Sequence, residues 1–197
     1  MVCSRNLLLL ALLALAACGR PQATGFSQPV PEATVQTIYV ATLRLPSQRG
    51  AMFGKDRSDT MTYARANISI PPGHETGQIE RGSGRINATH HFAPLSVTRL
   101  NGNEALAKQL ANARTAQHEP LLLYVHGYNN TLEDAAFRLA QIQHDFDLPN
   151  PSLLFAWPSA GDPLGYAYDR DSVLFARSDL AQLLETLNRT TNSRIIL

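Results

Sequence analysis

The residues best placed to do chemistry lie in one short stretch. Residues 121–130 read LLLYVHGYNN: an apolar run passes straight into His126-Gly127-Tyr128-Asn129-Asn130, and a helical pattern begins at Thr131. A loop leaving a buried strand for a helix can aim backbone N–H groups at one point. Preorganised donors of this kind stabilise a developing oxyanion by about 2.7–4 kcal/mol each. Gly127 allows a turn or close approach that a side chain would block. His126 reads as a hydrogen-bonded loop residue, and Asn129-Asn130 as turn formers. A second polar loop, residues 158–171, follows the apolar run 152–157. Beside it, Trp157 (the only tryptophan) and Ser159 are possible pocket residues, although Trp157 could equally cover the end of a sheet. Asp169 and Asp171 precede a helical pattern and read as capping and dipole partners.

Other chemistry finds little support. Six histidines include His90-His91, but there is no H-E-x-x-H and no Cys/His cluster, so neither metal nor cofactor is expected. No Gly-rich phosphate loop occurs. A formal net charge of +1 and the lack of charge runs exclude nucleic acid as a bulk electrostatic partner.

The elements that must position these loops follow from hydrophobic pattern. Residues 37–45 and 63–70 have strand composition, and 90–100 hold another short strand. Asn103 offers an N-cap for 104–114, with Leu106, Leu110 and Ala113 on one stripe. Residues 121–125 form a continuous apolar run, as in a parallel strand covered on both faces. Thr131 is the expected N-cap of the next helix, with Asp134 in its first turn and a stripe of Leu132, Ala136, Leu139, Ile142 and Phe146. A strand at 152–157, a helix with Val173, Ala176, Leu180, Leu183 and Leu187 on one side, and a strand at 194–197 complete the pattern. Strand–helix alternation predicts an α/β sheet with parallel βαβ units in the C-terminal half and a β-rich N-terminal part. Ligands of such sheets bind beyond the carboxyl ends of the strands, where both polar loops fall.

The N-terminus points to export. Arg5 precedes an apolar run, Leu7 to Ala17, too short for a membrane-spanning helix but suited to a secretory signal. Leu15-Ala16-Ala17-Cys18 resembles a bacterial lipobox, in which the cysteine becomes the lipidated first residue of the mature chain. Cys3 would leave with the signal, so no intrachain disulfide is expected. Each buried acyl methylene contributes about 0.8 kcal/mol of anchoring. The organisation expected is a signal over 1–17, a Pro/Gly/Ser-rich tether over 18–36 and a folded domain over 37–197. The chain is expected in the bacterial cell envelope, held to the membrane through Cys18 and facing the periplasm or exterior.

Taken together, LLLYVHGYNNTLEDAAFRLAQ, LLFAWPSAG and GYAYDRDS resemble a bacterial family of α/β-hydrolase-fold proteins of undefined substrate, esterase/lipase-like. TIYVATLR and ARANISIPPGHETGQIE extend the resemblance over roughly 37–197. It implies an α/β-hydrolase-like sheet and a small ester-like substrate. It makes the Tyr128 N–H the leading oxyanion donor, with His126, Gly127 and Asn129 shaping the loop. His126 is not the expected triad histidine, because in this fold the order is Ser, Asp/Glu, His. The nucleophile elbow, G-x-S-x-G, is not found, and Gly82-Ser83-Gly84 precedes the α/β units. In relatives the elbow follows the strand matching residues 194–197, so all three triad residues are expected beyond Leu197, and the sheet is expected to be incomplete here. The alternatives are a non-catalytic envelope lipoprotein and a gene remnant.

Overall fold

The computed structural model of the protein describes residues 25–47, 52–82, 86–114, 120–148, 151–191 and 194–197. The expected signal segment over 1–17, Cys18 and the first part of the expected tether lie outside the described residues. The chain runs β1 (Thr34–Arg44), β2 (Arg57–Ile70), β3 (Ala93–Leu100), α1 (Gly102–Asn112), β4 (Leu121–Val125), α2 (Leu132–Asp145), β5 (Ser152–Ala156), α3 (Tyr166–Thr191) and β6 (Ile195–Ile196). The strands form one mixed sheet in the order β3-β2-β1-β5-β4-β6. β1, β5, β4 and β6 are parallel, and β2 and β3 join by antiparallel pairing. This is the expected mixed α/β sheet, parallel in its C-terminal half.

Side-chain alternation builds a core on each face. On one face Ile38 and Val40 of β1 and Leu154 and Ala156 of β5 pack under Ala136, Leu139 and Ala140 of α2. On the other, Tyr39, Ala41, Leu153 and Phe155 pack under Leu106 and Leu110 of α1 and Leu183 and Leu187 of α3. β4 feeds α2 and β5 feeds α3, so neighbouring parallel strands send their chains to opposite faces. Such a divergence leaves a crevice at the carboxyl ends of the two strands. The loops at 126–131 and 157–165 meet there.

The structure moves several expected features. β1 starts at Thr34, inside the expected tether, and Ser27 N–H reaches Pro94 O at 2.9 Å. β2 starts at Arg57 rather than residue 63; its first half is polar because that part of the strand is only partly covered. The cap of α1 is Asn101, not Asn103, and its side chain makes no capping bond. Phe146 falls outside the buried stripe: α2 ends at Asp145, and Phe146 is 70% exposed. α3 begins at Tyr166, so residues 166–171 of the expected loop are helical, and Asp169 and Asp171 sit within the helix rather than before it. Its buried side runs through Asp169, Ser172, Ala176, Leu183 and Leu187, leaving Val173 on the flank. No helix of the described residues is long and apolar enough to cross a membrane.

At the start of α2 the sequence reading holds in detail. Thr131 Oγ1 accepts from Asp134 N–H at 3.1 Å, and Asp134 Oδ2 accepts from Thr131 N–H at 3.0 Å, a reciprocal capping box. Arg81 closes on the other carboxylate oxygen at 2.7 Å. Replacing Thr131 by Ala is expected to lower stability by about 1–2 kcal/mol, measured as a lower urea midpoint at unchanged slope.

Candidate active site

At the ends of β4 and β5, two aromatic residues lock the strands together. His126 is 3% exposed and stacks on Trp157, with ring centroids 4.7 Å apart and planes 19° from parallel. Trp157 Nε1–H donates to His126 O at 2.8 Å, while His126 Nε2 meets Trp157 O at 3.0 Å. Nδ1 lies 2.9 Å from Gly127 O. Burial, and then the nearby Arg44 cation, push the His126 pKa down to about 4, against the pull of the two carbonyls. The ring is therefore neutral near pH 7 and has one N–H, so it bonds one carbonyl at a time. Contact with Trp157 O is the one that joins the two loops. His126 is thus the hydrogen-bonded loop residue that the sequence suggests.

Two buried charges organise everything around this pair. The Asp169 carboxylate accepts from Ser159 Oγ–H at 2.6 Å, Ala160 N–H at 2.6 Å and Asn129 N–H at 2.9 Å. Ser159 Oγ in turn accepts from Asn130 N–H at 3.1 Å. From the opposite side, the Arg44 guanidinium donates to Gly54 O at 3.1 Å, Ser159 O at 3.0 Å and Asn130 O at 2.8 Å. Burial lowers the Arg44 pKa to about 10, with Asp169, Tyr168 and Asp134 opposing; Arg44 remains charged. Ser159 is fully buried and is not among the residues lining the cleft described below; its hydroxyl is a strut between the two loops. Asp171 pairs instead with Arg170 at the surface.

Backbone conformation follows the same logic. Gly161 has φ +66°, and a Cβ there would lie 2.7 Å from Thr131 Cγ2, so both the conformation and the close approach require glycine. Gly127 differs from the sequence expectation: its φ is ordinary, and a Cβ would meet nothing within 4 Å. The left-handed residue of the loop is Asn129, at φ +56°.

What this scaffold leaves open is the chemically useful part. The N–H groups of Gly127 and Tyr128 have no acceptor among the described residues, and both residues are exposed. They border an apolar cleft of about 380 Å³ that Trp157, Phe155, Tyr166, Val173 and Leu174 also line. Tyr128 Oη–H donates to Pro163 O, and its ring meets Tyr166 edge-on at 5.6 Å, which fixes the mouth. Among the described residues, no serine, threonine or cysteine lines this cleft. On the other side of the loop, a smaller cavity of about 200 Å³ is bordered by Arg44, Lys55, Thr131 and Glu133. There burial, and then Asp134, raise the Glu133 pKa to about 7, with Arg81 opposing.

Sequence reasoning did not find Arg44, Glu133 or the role of Asp169. Asp169 had a usable signal: it shares a helical stripe with Ala176, Leu183 and Leu187, and a carboxylate on a buried stripe must be hydrogen-bonded. Arg44 had none, since an Arg at the end of an apolar strand ordinarily reads as a solvated terminus.

Comparison with known proteins agrees with this geometry. Residues 102–197, from α1 through β6, match the model of a family described as alpha/beta hydrolase of unknown function (DUF900). No curated protein and no solved structure gives a match. The matched segment contains both loops and both aromatic residues, and the fold is α/β-hydrolase-like.

Two outcomes follow. Asp169→Asn, which turns one acceptor oxygen into a donor facing N–H groups, is expected to lower stability by about 3 kcal/mol in urea unfolding. His126 binds its proton less readily folded than unfolded, so its contribution is complete above pH 6.5 and is lost as pH falls from 6.5 towards 4. That loss amounts to about 3 kcal/mol. In His126→Gln the stability difference between pH 7 and pH 4 is expected to shrink by that amount.

Proposed function

With the hydrolase family match as premise, we propose that this chain supplies the oxyanion loop and one wall of the substrate cleft of an esterase/lipase-type serine hydrolase. The observation that carries the reading is the pair of acceptor-free N–H groups at Gly127 and Tyr128, held at the carboxyl end of β4 beside an apolar cleft. In this fold one oxyanion donor comes from the loop after the corresponding strand, and the other from the residue after the nucleophile.

The chemistry divides accordingly. A serine Oγ attacks the ester carbonyl carbon, its proton passing to a histidine base. The carbonyl oxygen becomes an oxyanion, which the Tyr128 N–H receives. Collapse expels the alcohol, which takes that proton, and water then hydrolyses the acyl-enzyme to the acid. The apolar lining suits the acyl part of a small ester. In this reading the serine sits on the turn that leaves β6. β6 pairs with β4 in parallel, with Ile196 opposite Leu122, so a chain continuing in this register would run beside Leu123–Val125 towards the Gly127–Tyr128 loop. No residue among 1–197 stands in a G-x-S-x-G elbow; the proposal places the elbow on the turn that follows β6, with the acid and histidine after it, as the order of the fold requires.

We further propose that Cys18 is diacylated and holds the domain at the bacterial envelope, the segment before β1 acting as a spacer. The lipobox-like Leu15-Ala16-Ala17-Cys18 supports this. Cys18→Ser is expected to move the protein from the membrane to the soluble fraction and abolish labelling by radioactive palmitate; unchanged labelling contradicts the anchor.

The decisive experiment uses the protein expressed from its native locus, the reading frame followed past the Leu197 codon. It is expected to form a covalent adduct with a fluorophosphonate and to cleave p-nitrophenyl esters. Tyr128→Pro, which removes the N–H, is expected to lower kcat/KM by about 10²–10³-fold, while Tyr128→Phe stays within a few-fold. A stop codon after Leu197, no adduct, or a fully active proline variant overturns the proposal; a stop favours a non-catalytic lipoprotein.

A further inference from the structure

A separate cluster lies at the far end of α2, about 20 Å along the helix from the oxyanion loop. His74, in the β2–β3 connection, meets His144 and Asp145 at the C-terminus of α2. One ligand atom from each of the three lies within 4.8 Å of the others. The His74 and Asp145 side chains are 5% and 2% exposed.

The hydrogen bonds around these three are arranged as around a bound metal. His74 Nδ1–H donates to the Glu80 carboxylate at 2.9 Å, which fixes the ring and leaves Nε2 facing Asp145 Oδ1 at 2.7 Å. Asp145 Oδ2 is taken by Gly77 N–H at 2.8 Å and by the Gln141 amide, leaving Oδ1 for a further partner. A metal-binding imidazole almost always donates its other N–H to a carboxylate or carbonyl, and a ligating carboxylate is itself hydrogen-bonded. The His144 ring makes no hydrogen bond among the described residues and sits 5.3 Å from the His74 ring, edge-on. Phe92 closes the opposite side at 5.3 Å.

Charge balance favours a cation. Glu80 and Asp145 bring two carboxylates to the His74 ring, and the two charges of a divalent ion held there balance them. Metal–nitrogen and metal–oxygen bonds are about 2.0–2.2 Å, so ligand atoms of one ion lie within about 4.2 Å of each other. Side chains at a helix terminus need move only a fraction of an ångström to close on an ion.

We propose that His74 Nε2, Asp145 Oδ1 and His144 form a structural site for a divalent transition-metal ion, zinc above all, supported by Glu80 and Gln141. Two imidazoles and one carboxylate suit zinc better than magnesium or calcium, which prefer all-oxygen sets. The ion staples the β2–β3 connection to α2 and is not part of the proposed hydrolysis. The sequence hides the site because His74 lies 71 residues from Asp145 and the three ligands match no short motif.

The test is a titration of the purified full chain with Zn²⁺, and with Co²⁺ as a spectroscopic probe. One equivalent of Co²⁺ is expected to bind, with visible absorption in the range of nitrogen/oxygen coordination, and one equivalent of Zn²⁺ to displace it. His144→Ala, which removes a half-exposed ring, and Asp145→Asn are each expected to abolish stoichiometric binding. Glu80→Gln is expected to weaken it by about 10–100-fold. Zn²⁺ is expected to raise Tm by several degrees in the parent chain but not in His144→Ala. If the parent chain binds no more tightly than His144→Ala, the cluster is held by its own hydrogen bonds alone and the proposal is overturned.

Discussion

The carboxyl end of this sheet depends on two buried charges of opposite sign that divide the loop backbone between them. Arg44 collects carbonyl oxygens, those of Gly54, Ser159 and Asn130. Asp169 collects N–H groups, those of Asn129 and Ala160, together with the Ser159 hydroxyl. Neither could be buried without such partners, because an isolated ion inside a protein is strongly disfavoured. The loops in turn have no regular ladder of their own to satisfy their backbone. Each requirement answers the other, and the outcome is a rigid junction built from three distant parts of the chain.

That junction explains which N–H groups are left over. Asn129 and Asn130 give theirs to Asp169 and Ser159. Gly127 and Tyr128, one step earlier, are held above the reciprocal His126–Trp157 lock and find no acceptor for their N–H groups among the described residues. An oxyanion hole needs donors that are fixed before the reaction, so that no reorganisation is needed when charge develops. Divergence of α2 and α3 to opposite faces supplies the crevice, and the exposed apolar flank of α3 gives it an acyl-compatible wall.

Much of this was legible in the sequence. Apolar runs located β4 and β5 within a residue, because strands covered on both faces need no polar alternation. Thr131 and Asp134 announced the start of α2, since a capping box is local chemistry. The His-Gly loop was correctly placed at a strand's carboxyl end. What stayed hidden was long-range. Asp169 was read as a helix cap, but its partners come from two other loops. Ser159 was read as a pocket residue, although its hydroxyl is consumed by Asp169. Val173 and Phe146 were assigned to the core from periodicity; the phase of α3 and the end of α2 put both outside it. Gly127 was read as allowing a turn or close approach that a side chain would block, yet the space beside it is open and belongs to the cleft.

The central claim is that the Tyr128 N–H is the donor that receives the oxyanion. A structure of the phosphonylated full-length protein tests it most directly, because the phosphonyl oxygen occupies the oxyanion position. The account predicts that oxygen about 2.7–3.1 Å from the Tyr128 nitrogen, with the Arg44 and Asp169 hydrogen bonds unchanged. An adduct whose oxygen is held by other donors, with the Tyr128 N–H turned away, would contradict it.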